Sequence, residues 1–426
     1  MGANPNPSAR GGEPVEASSA ASLCLLLGRM LFGLGATAQR VHDSIGFLAR
    51  HLGCKVDVLV SYDALLITVN DGAAIRTRID SSQKVAGLDL LGLMRVSQLL
   101  RDLPQSQPGP QEIERALCAI RDTPPRHGFA WQAIAAGCAG AGFCIVNGGD
   151  PASWVGTFIA SAVIFSIRRQ LARRNLNVQL TFFAVALVGS FLAGLLARLM
   201  QTSTPVVALV APVLFLVPGV PLINGGIDIV RNHVTIGIAR IGFTMAVLVS
   251  LCLGAGVSLR MLPMPLTPAF SLPSPWDTVL FASAGAVAAG ALACLNNGGF
   301  ALITLCAVGG LTGRLVRALI SLSGVDVVTA SLVGVLCSTL AVTFIADRFR
   351  WPAVVASVMA ALPMVPGYFA IGGINLLMTF AVAGQADPAQ LSAGVQAITR
   401  AIFISIALVV GVIGPVVTLQ RDKERV

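Results

Sequence analysis

The sequence predicts an α-helical polytopic membrane protein of about ten transmembrane helices, arranged as a 5+5 inverted repeat behind a small N-terminal cytoplasmic α+β domain. Three observations lead to this prediction: an apolar composition, one stretch with soluble-domain composition, and two sets of five apolar segments that share motifs. Of the 426 residues, 55% are hydrophobic and 12% are charged, and the mean hydropathy is +0.80. A soluble domain has roughly 25% charged residues, so much of this chain must face lipid.

Charge, cysteine content and motifs exclude several classes of protein. The net charge is +9, but the basic residues are scattered or lie at the ends of apolar segments, which is typical of cytoplasmic loops and not of nucleic-acid binding. The nine cysteines show no CxxC spacing, so we expect neither a disulfide framework nor a metal site. No cofactor is expected, and the sequence has no GxSxG, HExxH or P-loop motif, which argues against an enzyme.

The N-terminal quarter of the chain differs from the rest. Residues 1–20 are expected to form a disordered tail without the features of a signal peptide. Residues 21–125 have soluble-domain composition and predict a cytoplasmic α+β domain, because helical spacing of apolar residues alternates with period-two stretches. The predicted elements are a helix over 34–52, strands at 56–60, 65–69 and 74–79 with a turn at Asn70-Asp71-Gly72, and helices near 88–103 and 110–122.

The remainder of the chain predicts membrane spans. Five lie in residues 126–260 and five in 276–426, separated by a Pro/Ser-rich loop at 261–275. Each span holds the roughly 20 mainly apolar residues that cross a bilayer. The ten predicted spans are 128–146, 152–170, 179–199, 203–222, 235–258, 276–295, 300–320, 325–345, 351–372 and 395–418.

Arginines predict the orientation of these spans. Four basic clusters lie on the side of the soluble domain if the chain starts inside and crosses ten times, so both termini are expected in the cytoplasm, with the protein in the inner membrane. Arg260, Arg314 and Arg317 break the pattern, because they would fall at or near the outer side. The four clusters are Arg168/Arg169/Arg173/Arg174, Arg231/Arg240, Arg348/Arg350 and Arg421/Lys423/Arg425.

Short motifs recur between the two sets of spans in the same order. Because five is an odd number, the second set inserts upside down relative to the first, which is the inverted-repeat architecture of many secondary transporters. The recurring motifs are Asn147-Gly148-Gly149 with Asn297-Gly298-Gly299, Leu187-Val188-Gly189 with Leu332-Val333-Gly334, and Val217-Pro218-Gly219 followed by Gly225-Gly226-Ile227 with Val365-Pro366-Gly367 followed by Gly372-Gly373-Ile374.

The candidate substrate site lies where proline and glycine interrupt the spans, at Pro218–Gly219 and Pro366–Gly367. Backbone groups freed by such breaks are tolerated at membrane depth only where they line a cavity or meet protein partners. Half-helix N-termini also attract carboxylates. The alternative is a packing kink, since both residue types are common in membrane helices. Further substrate-binding candidates, which could instead cap helices, are Asn147, Asn224 and Asn297.

Charged residues follow the first break. Asp228 and Arg231 are three apart and can pair on a helix face, and His233 has a side chain suited to proton coupling. We therefore take Asp228 and His233 as candidates for proton coupling, against the alternative of a cytoplasmic loop with ordinary charges. Arg231 and Arg314 are candidate partners for a substrate carboxylate. His42-Asp43-Ser44 is not a hydrolase triad, because adjacent helical residues point in different directions.

Two blocks carry a family resemblance: CIVNGGDPASWVGTFIASAVIFSIRRQLARRNLN at 144–177 and LVPGVPLINGGIDIVRNHVTIGIAR at 216–240. They resemble the threonine/serine exporter (ThrE) family, and most of all its YjjP-type members, while the second set of spans resembles the separate YjjB-type partner. The resemblance covers nearly the whole chain from about residue 22. It implies proton-driven export of threonine and serine across the inner membrane, or of succinate for the split YjjP/YjjB-type members.

The sequence therefore predicts a secondary transporter that exports threonine, serine or a related small carboxylate. A dicarboxylate (succinate) exporter is the nearest alternative, and an extra cationic partner for a second carboxylate would favour it. A membrane-anchored sensory or interaction scaffold is the second alternative. The expected partners are the carboxylate or amino-acid substrate and the lipid bilayer, with no nucleic acid, and a homo-oligomer is left open.

Overall fold

The computed structural model describes residues 16–81, 88–174, 176–262, 275–349, 351, 353–382 and 388–420. These residues form sixteen α-helices, one short 3₁₀ helix and three β-strands. Contacts divide the chain into two compact units. The first unit comprises the described parts of Met1–Gly33, Ala38–Val85 and Arg95–Thr123, and the second comprises those of Leu34–Thr37, Ala86–Met94 and Pro124–Val426.

The first unit is built from helices and one antiparallel sheet. Its three strands form a meander in the order β1-β2-β3. The period-two pattern buries one face of the central strand, at Leu65, Ile67 and Val69. The elements are α1 (Ala17–Gly33), α2 (Ala38–His51), β1 (Lys55–Val60), β2 (Leu65–Asn70), β3 (Ile75–Asp80), α3 (Leu90–Ser106, whose first residues belong to the second unit) and α4 (Pro110–Arg121).

Helix α1 corrects the expected N-terminal tail. It begins at Ala17, so the last residues of the predicted tail are helical, while residues 1–15 lie outside the described residues. Asp71 in the β2–β3 turn accepts the Ala17 N–H at 3.0 Å. The helix then packs tightly, because a Cβ atom placed on Gly28 would lie 2.5 Å from Leu65 Cδ2 and 2.7 Å from Ile45 Cδ1. A hydrogen bond between residues far apart in the chain and a close contact at Gly28 thus hold this helix in place. The local pattern of apolar residues did not predict it.

The second unit contains the apolar helices. Eight are long and apolar enough to cross a membrane, and ten spans result if each of two bent helix pairs is counted as one. The predicted loop at 261–275 lies mostly outside the described residues. The helices are α5 (Phe129–Val146), α6 (Pro151–Arg173), α7 (Val178–Leu199), α8 (Pro205–Leu214), α9 (Gly219–Val230), α10 (Val234–Met261), α11 (Pro275–Leu295), α12 (Phe300–Leu322), α13 (Val327–Phe349), α14 (Ala353–Ala361), the 3₁₀ helix (Leu362–Met364), α15 (Gly367–Val382) and α16 (Pro388–Gln420).

The same helix pairs pack in both sets of spans. In the first set α5 packs on α6, α6 on α7, α7 on α8 and α10, and α9 on α10. In the second set α11 packs on α12, α12 on α13, α13 on α14 and α16, and α15 on α16. Helices α5 and α11 pack on each other and join the sets. Each contact of the first five spans therefore has a counterpart among the second five.

Glycine lies at close helix contacts in both sets. A Cβ atom placed on Gly189 of α7 would lie 2.7 Å from Ile164 Cγ2 of α6. In the second set, a Cβ atom placed on Gly313 of α12 would lie 3.1 Å from Ser338 Cβ of α13, and one placed on Gly334 would lie 2.7 Å from Gly313 O. The helix pairs α6–α7 and α12–α13 therefore both pack closely at glycine.

Candidate functional site

Proline ends the first half of the span formed by α8 and α9. Val217 donates to Leu214 O at 3.2 Å, closing the last turn, and Gly219 donates back to Val217 O at 2.7 Å. Pro218 has no N–H and cannot continue the helix. Regular bonding restarts with Leu222 N–H to Pro218 O at 3.2 Å. The two halves are bent by 62°.

The span formed by α14 and α15 breaks in the same way. Val365 donates to Leu362 O at 3.0 Å, and Gly367 donates to Val365 O at 2.9 Å. Bonding restarts with Ala370 N–H to Pro366 O at 3.0 Å, and the bend is 44°. Both predicted interruptions therefore exist, and they share one hydrogen-bond pattern.

The two breaks lie against each other. A Cβ atom placed on Gly219 would lie 2.7 Å from Leu362 Cδ2, and one placed on Gly367 would lie 3.2 Å from Leu214 Cδ2. The valine before each proline makes the second contact, at 3.2 and 3.3 Å. Each glycine is buried and packs on the opposite span. The breaks thus face protein and not lipid, and glycine permits their close approach.

Each break also exposes the start of a half-helix. The first N–H groups of a helix have no acceptor within the helix, and they carry partial positive charge. In α9, Pro221 removes one of these donors. In α15, regular helix bonding begins with the Ala370 N–H, and the Tyr368 N–H comes before it. The N-terminus of each half-helix has the polarity that suits a carboxylate. Because α9 loses one N–H at Pro221, α15 offers more donors than α9.

Asn147 caps its own helix, and its counterpart is not the residue that the motif predicted. Asn147 and Asn296 each donate through Nδ2 to the carbonyl four residues earlier, at 2.7 Å. The next residues, Gly148 and Asn297, both have positive φ, of 82° and 60°. Asn297 therefore corresponds to Gly148, so the motif alignment was wrong by one residue. The helix-ending turn sets the register, and it accepts glycine or asparagine at the positive-φ position.

The other two asparagines bind segments from earlier in the chain. Asn224 is buried in α9 and donates to Gly35 O at 3.0 Å. Asn297 donates to Asp89 Oδ1 at 2.9 Å and accepts the Arg126 N–H at 2.8 Å. All of these residues belong to the second unit. The asparagine amides therefore already bind protein groups.

Asp228 forms a buried ion pair with a residue of the next helix. Arg240 Nη1 donates to Asp228 Oδ2 at 2.8 Å, and the two side chains are only 7% and 0% exposed. Sequence spacing had pointed to Arg231, which directly follows α9. The backbone N–H of His233 donates to Asp228 O at 2.8 Å. Sequence reasoning placed Arg240 near this site but missed its role, because a partner twelve residues away follows no helical spacing.

Arg314 is a buried cation in the middle of α12. Its Nη2 donates to Val146 O, the last carbonyl of α5, at 2.8 Å, while Nε is buried without a hydrogen-bond partner. Gly285 of α11 makes room for the side chain, since a Cβ atom there would overlap Arg314 Cγ. Among the described residues Arg314 has no ion-pair partner. A buried arginine without a carboxylate is costly in a membrane, and such residues mark functional sites.

Asp150 is a strongly bonded carboxylate that the sequence analysis did not single out. It caps α6 by accepting the Ser153 N–H at 2.9 Å, and it binds the α7–α8 loop by accepting the Ser203 N–H at 2.8 Å and the Thr202 hydroxyl. Partial burial acts to raise the pKa of Asp150, but these hydrogen bonds outweigh burial and hold the pKa well below its usual range. Asp-Pro-Ala-Ser at the start of a span was the available signal, since aspartate before proline is a helix N-cap pattern.

The fold and the crossed breaks define a class of protein. A multi-pass helical membrane protein whose interrupted spans cross inside the bundle is typical of transporters. The family description "Putative threonine/serine exporter" (ThrE) matches residues 22–262, and "Threonine/Serine exporter, ThrE" (ThrE_2) matches residues 279–417. The chain belongs to the threonine/serine exporter family. Members of this family are transporters and not enzymes, in agreement with the sequence analysis.

Two bacterial relatives align with the first half of the chain. "Probable succinate transporter subunit YjjP" of Klebsiella aerogenes is 29% identical over 242 residues, which is 56% of this chain and 92% of the relative. The protein of the same description from Escherichia coli K12 is 30% identical over 240 residues, again 56% and 92%. No solved structure matches the chain. With the two family matches, this coverage is consistent with a fused member of the family.

Proposed function

We propose that this protein is a secondary transporter that exports threonine, serine or a closely related small carboxylate across the cytoplasmic membrane. The observation that carries the proposal is the reciprocal contact of Gly219 and Gly367 with the opposite broken spans. Crossed half-helices place two positively polarised N-termini inside the bundle, where a carboxylate can replace missing acceptors. Membership of the exporter family supports the same function.

The two sets of spans are proposed to form an inverted repeat. The recurrence of every helix–helix contact supports this relation, as does the reciprocal glycine contact, which a pseudo-twofold axis between the breaks would generate. Such an axis lets each half adopt the other half's conformation and so exposes the site alternately on the two faces. The arginine clusters support cytoplasmic termini.

Substrate binding is proposed at Pro218–Gly219 and Pro366–Gly367, with asparagines completing the site. Asn147, Asn224 and Asn297 each donate one amide N–H to a protein acceptor. An amide nitrogen has two N–H groups, so each side chain retains a second donor for a substrate oxygen.

Proton coupling is proposed at Asp228 and His233. Because Asp228 accepts a hydrogen bond from Arg240 inside the bundle, it can take up a proton only when that ion pair opens. Protonation of Asp228 would therefore accompany a change in the packing of α9 on α10. In this view the pair couples proton uptake to movement of the first half.

A dicarboxylate is the second candidate substrate, and Arg314 is the observation that favours it. Arg240 is neutralised by Asp228, whereas the buried Nε of Arg314 has no hydrogen-bond partner in the described part of the chain. Its neighbour Gly313 approaches Met364, directly before the second break, so a carboxylate bound there lies near the proposed site. Arg231, at the end of α9, is the other proposed carboxylate partner. The relatives described as succinate transporter subunits support this alternative.

Counterflow in proteoliposomes tests the proposal. Vesicles loaded with unlabelled threonine, serine or succinate are given the same labelled compound outside, with protein-free vesicles and lysine-loaded vesicles as controls. Accumulation of labelled threonine and serine above both controls is the expected result. Accumulation of succinate alone would support the dicarboxylate alternative. If no compound accumulates while the protein is folded and inserted, the transport proposal is wrong and the scaffold interpretation is favoured.

A further inference from the structure

The contact of α9 with α10, here called the first crossing, carries polar residues. The equivalent contact of α15 with α16, the second crossing, lacks them at the matching positions. Gly225 packs on Gly237 in the first set, as Gly373 packs on Gly394 in the second: Cβ atoms placed on Gly225 and Gly373 would lie 2.9 and 3.0 Å from the partner glycine's carbonyl oxygen. Counting from these glycines assigns counterparts to three polar residues of the first crossing. Asn224, Asp228 and Arg240 correspond to Gly372, Leu376 and Ala397.

These three residues act together on one short segment. Asn224 donates to Gly35 O at 3.0 Å and Arg240 donates to Ala36 O at 2.7 Å, while Asp228 orients Arg240 through the ion pair. Each of them is at least nine-tenths buried. The polar groups that distinguish the first crossing from the second thus hold the backbone of Leu34–Thr37, the segment that joins α1 to α2.

The same segment connects onward to the second set of spans. Leu34 O accepts the Asp89 N–H at 3.3 Å, and Gly35, at φ 86°, packs directly on Leu88. Leu90 N–H then donates to Asn296 O at 2.9 Å in the α11–α12 turn. We name Leu34–Thr37 and Leu88–Leu90 together the strap. All strap residues belong to the second unit.

We propose that the strap is a one-sided gate that ties α9 and α10 of the first half to the α11–α12 turn of the second half. The inference rests on the proposed transport function. Alternating access requires the halves to move relative to each other, and the strap must release or shift before this end of the bundle can open. Since the side chains of Gly372, Leu376 and Ala397 cannot donate such bonds, the second crossing has no equivalent anchor at these positions within the described part of the chain. The strap therefore makes the two faces of the transporter unequal.

The experiment breaks the strap from its own side and substitutes none of the proposed substrate residues. The variant Gly35→Ala/Asp89→Ala places a side chain at positive φ against Leu88 and removes the Asp89–Asn297 bond. Asp89 also caps α3 by accepting the Gly92 N–H at 3.0 Å. The control is therefore Gly324→Ala/Asp326→Ala, which changes another positive-φ glycine and another helix-capping aspartate, in the α12–α13 turn. Full-length protein in proteoliposomes is used, and Asp89→Ala alone replaces the double variant if that variant does not fold.

Three readouts decide the outcome. In the strap variant, and not in the control, we expect the rate of amide hydrogen exchange of the peptide containing Leu90 to rise at least tenfold. The rate at which a membrane-impermeant maleimide labels Cys294 should rise at least fivefold. The counterflow rate should change at least threefold. Faster exchange with unchanged counterflow and labelling would show a merely structural contact and overturn the proposal. Unchanged exchange would also overturn it.

Failure of the proposed function is distinguishable from failure of the gate. If the wild-type protein moves none of the tested compounds, the transport proposal fails by itself. The Cys294 labelling still decides whether breaking the strap opens this end of the bundle. Faster labelling than in the control supports the gate, and equal labelling overturns it.

Discussion

Gly219 and Gly367 are related by an exchange of partners: each packs on the leucine five residues before the other. Gly219 meets Leu362, and Gly367 meets Leu214. A contact of this kind is what a twofold relation produces when each half contributes both members of the pair. It places the two interruptions in contact with each other across the two halves.

We expect Gly219→Val and Gly367→Val each to lower the counterflow rate at least tenfold. A valine side chain cannot fit against the leucine that already lies within van der Waals distance, and overpacking of this kind costs about 1–3 kcal/mol. The protein should remain folded, so the loss reports the crossing and not global unfolding. Gly242→Val is the control, because a Cβ atom at Gly242 meets nothing within 4 Å. Equal rates in all three variants would remove the crossing from the transport mechanism.

Arg314 should distinguish dicarboxylates from monocarboxylates. We expect Arg314→Gln to lower the succinate counterflow rate at least tenfold and the threonine counterflow rate much less, because only the dicarboxylate needs a second cation. Arg314→Lys keeps the positive charge and should partly restore the succinate counterflow rate. The exposed Arg173→Gln is the control. An equal loss for both substrates would show that Arg314 binds their shared carboxylate or is purely structural.

The Asp228–Arg240 pair should show strong energetic coupling. Asp228→Leu or Arg240→Ala alone leaves a buried charge without its partner, which costs about 3–5 kcal/mol. The double variant reproduces the Leu376/Ala397 pair of the second crossing and should be less destabilised than either single variant. The free energy of unfolding of the wild type, both single variants and the double variant is measured in detergent micelles by circular dichroism, which completes a double-mutant cycle. Simply additive losses would contradict the coupling.

Asp150 should give the protein a pH-dependent stability. Its folded-state pKa is lowered by hydrogen bonds from Ser153, Thr202 and Ser203. The ionised carboxylate therefore stabilises the fold above the ordinary aspartate pKa of about 3.9, and this stabilisation is lost as pH falls through the lower folded-state value.

We expect the melting temperature of Asp150→Asn to be lower than that of the wild type at pH 7 and the difference to shrink progressively below about pH 4. Thermal unfolding in detergent at a series of pH values checks this, with the exposed Glu114→Gln as the control. A difference that stayed constant with pH would show that the side-chain amide, and not the lost charge, causes the effect.

Local chemistry made part of the architecture predictable. The three strands and the turn at Asn70-Asp71-Gly72 follow from period-two patterning and a positive-φ glycine. The apolar spans follow from hydropathy, and the two breaks follow from a proline directly before a glycine, at Pro218–Gly219 and Pro366–Gly367. Proline alone does not decide a break, since Pro212 lies inside α8 and Pro415 lies inside α16. Helix α1 was missed because its polar and apolar residues show little helical periodicity before Leu34, and its packing on Leu65 comes from a distant strand.

The sequence was a weaker guide to which residues of the two halves match. Shared tripeptides aligned Asn147 with Asn297, whereas the hydrogen bond that each side chain makes at the end of its own helix matches Asn147 with Asn296. A short identity can be displaced by one residue because glycine and asparagine both adopt the positive-φ conformation of the turn. Only the hydrogen bonds of the folded turn restore the register.

The sequence by itself determined the membrane class, the membrane-capable spans and the two proline-glycine interruptions, because hydropathy and backbone restriction act within a few residues. The tertiary structure decided that Gly219 packs on Leu362, that Asp228 pairs with Arg240 and that Arg314 is buried without a carboxylate partner among the residues that the structure describes. These relationships join residues far apart in the chain, so no local pattern encodes them. They arise when helices pack and each buried polar group has to find, or lack, a partner.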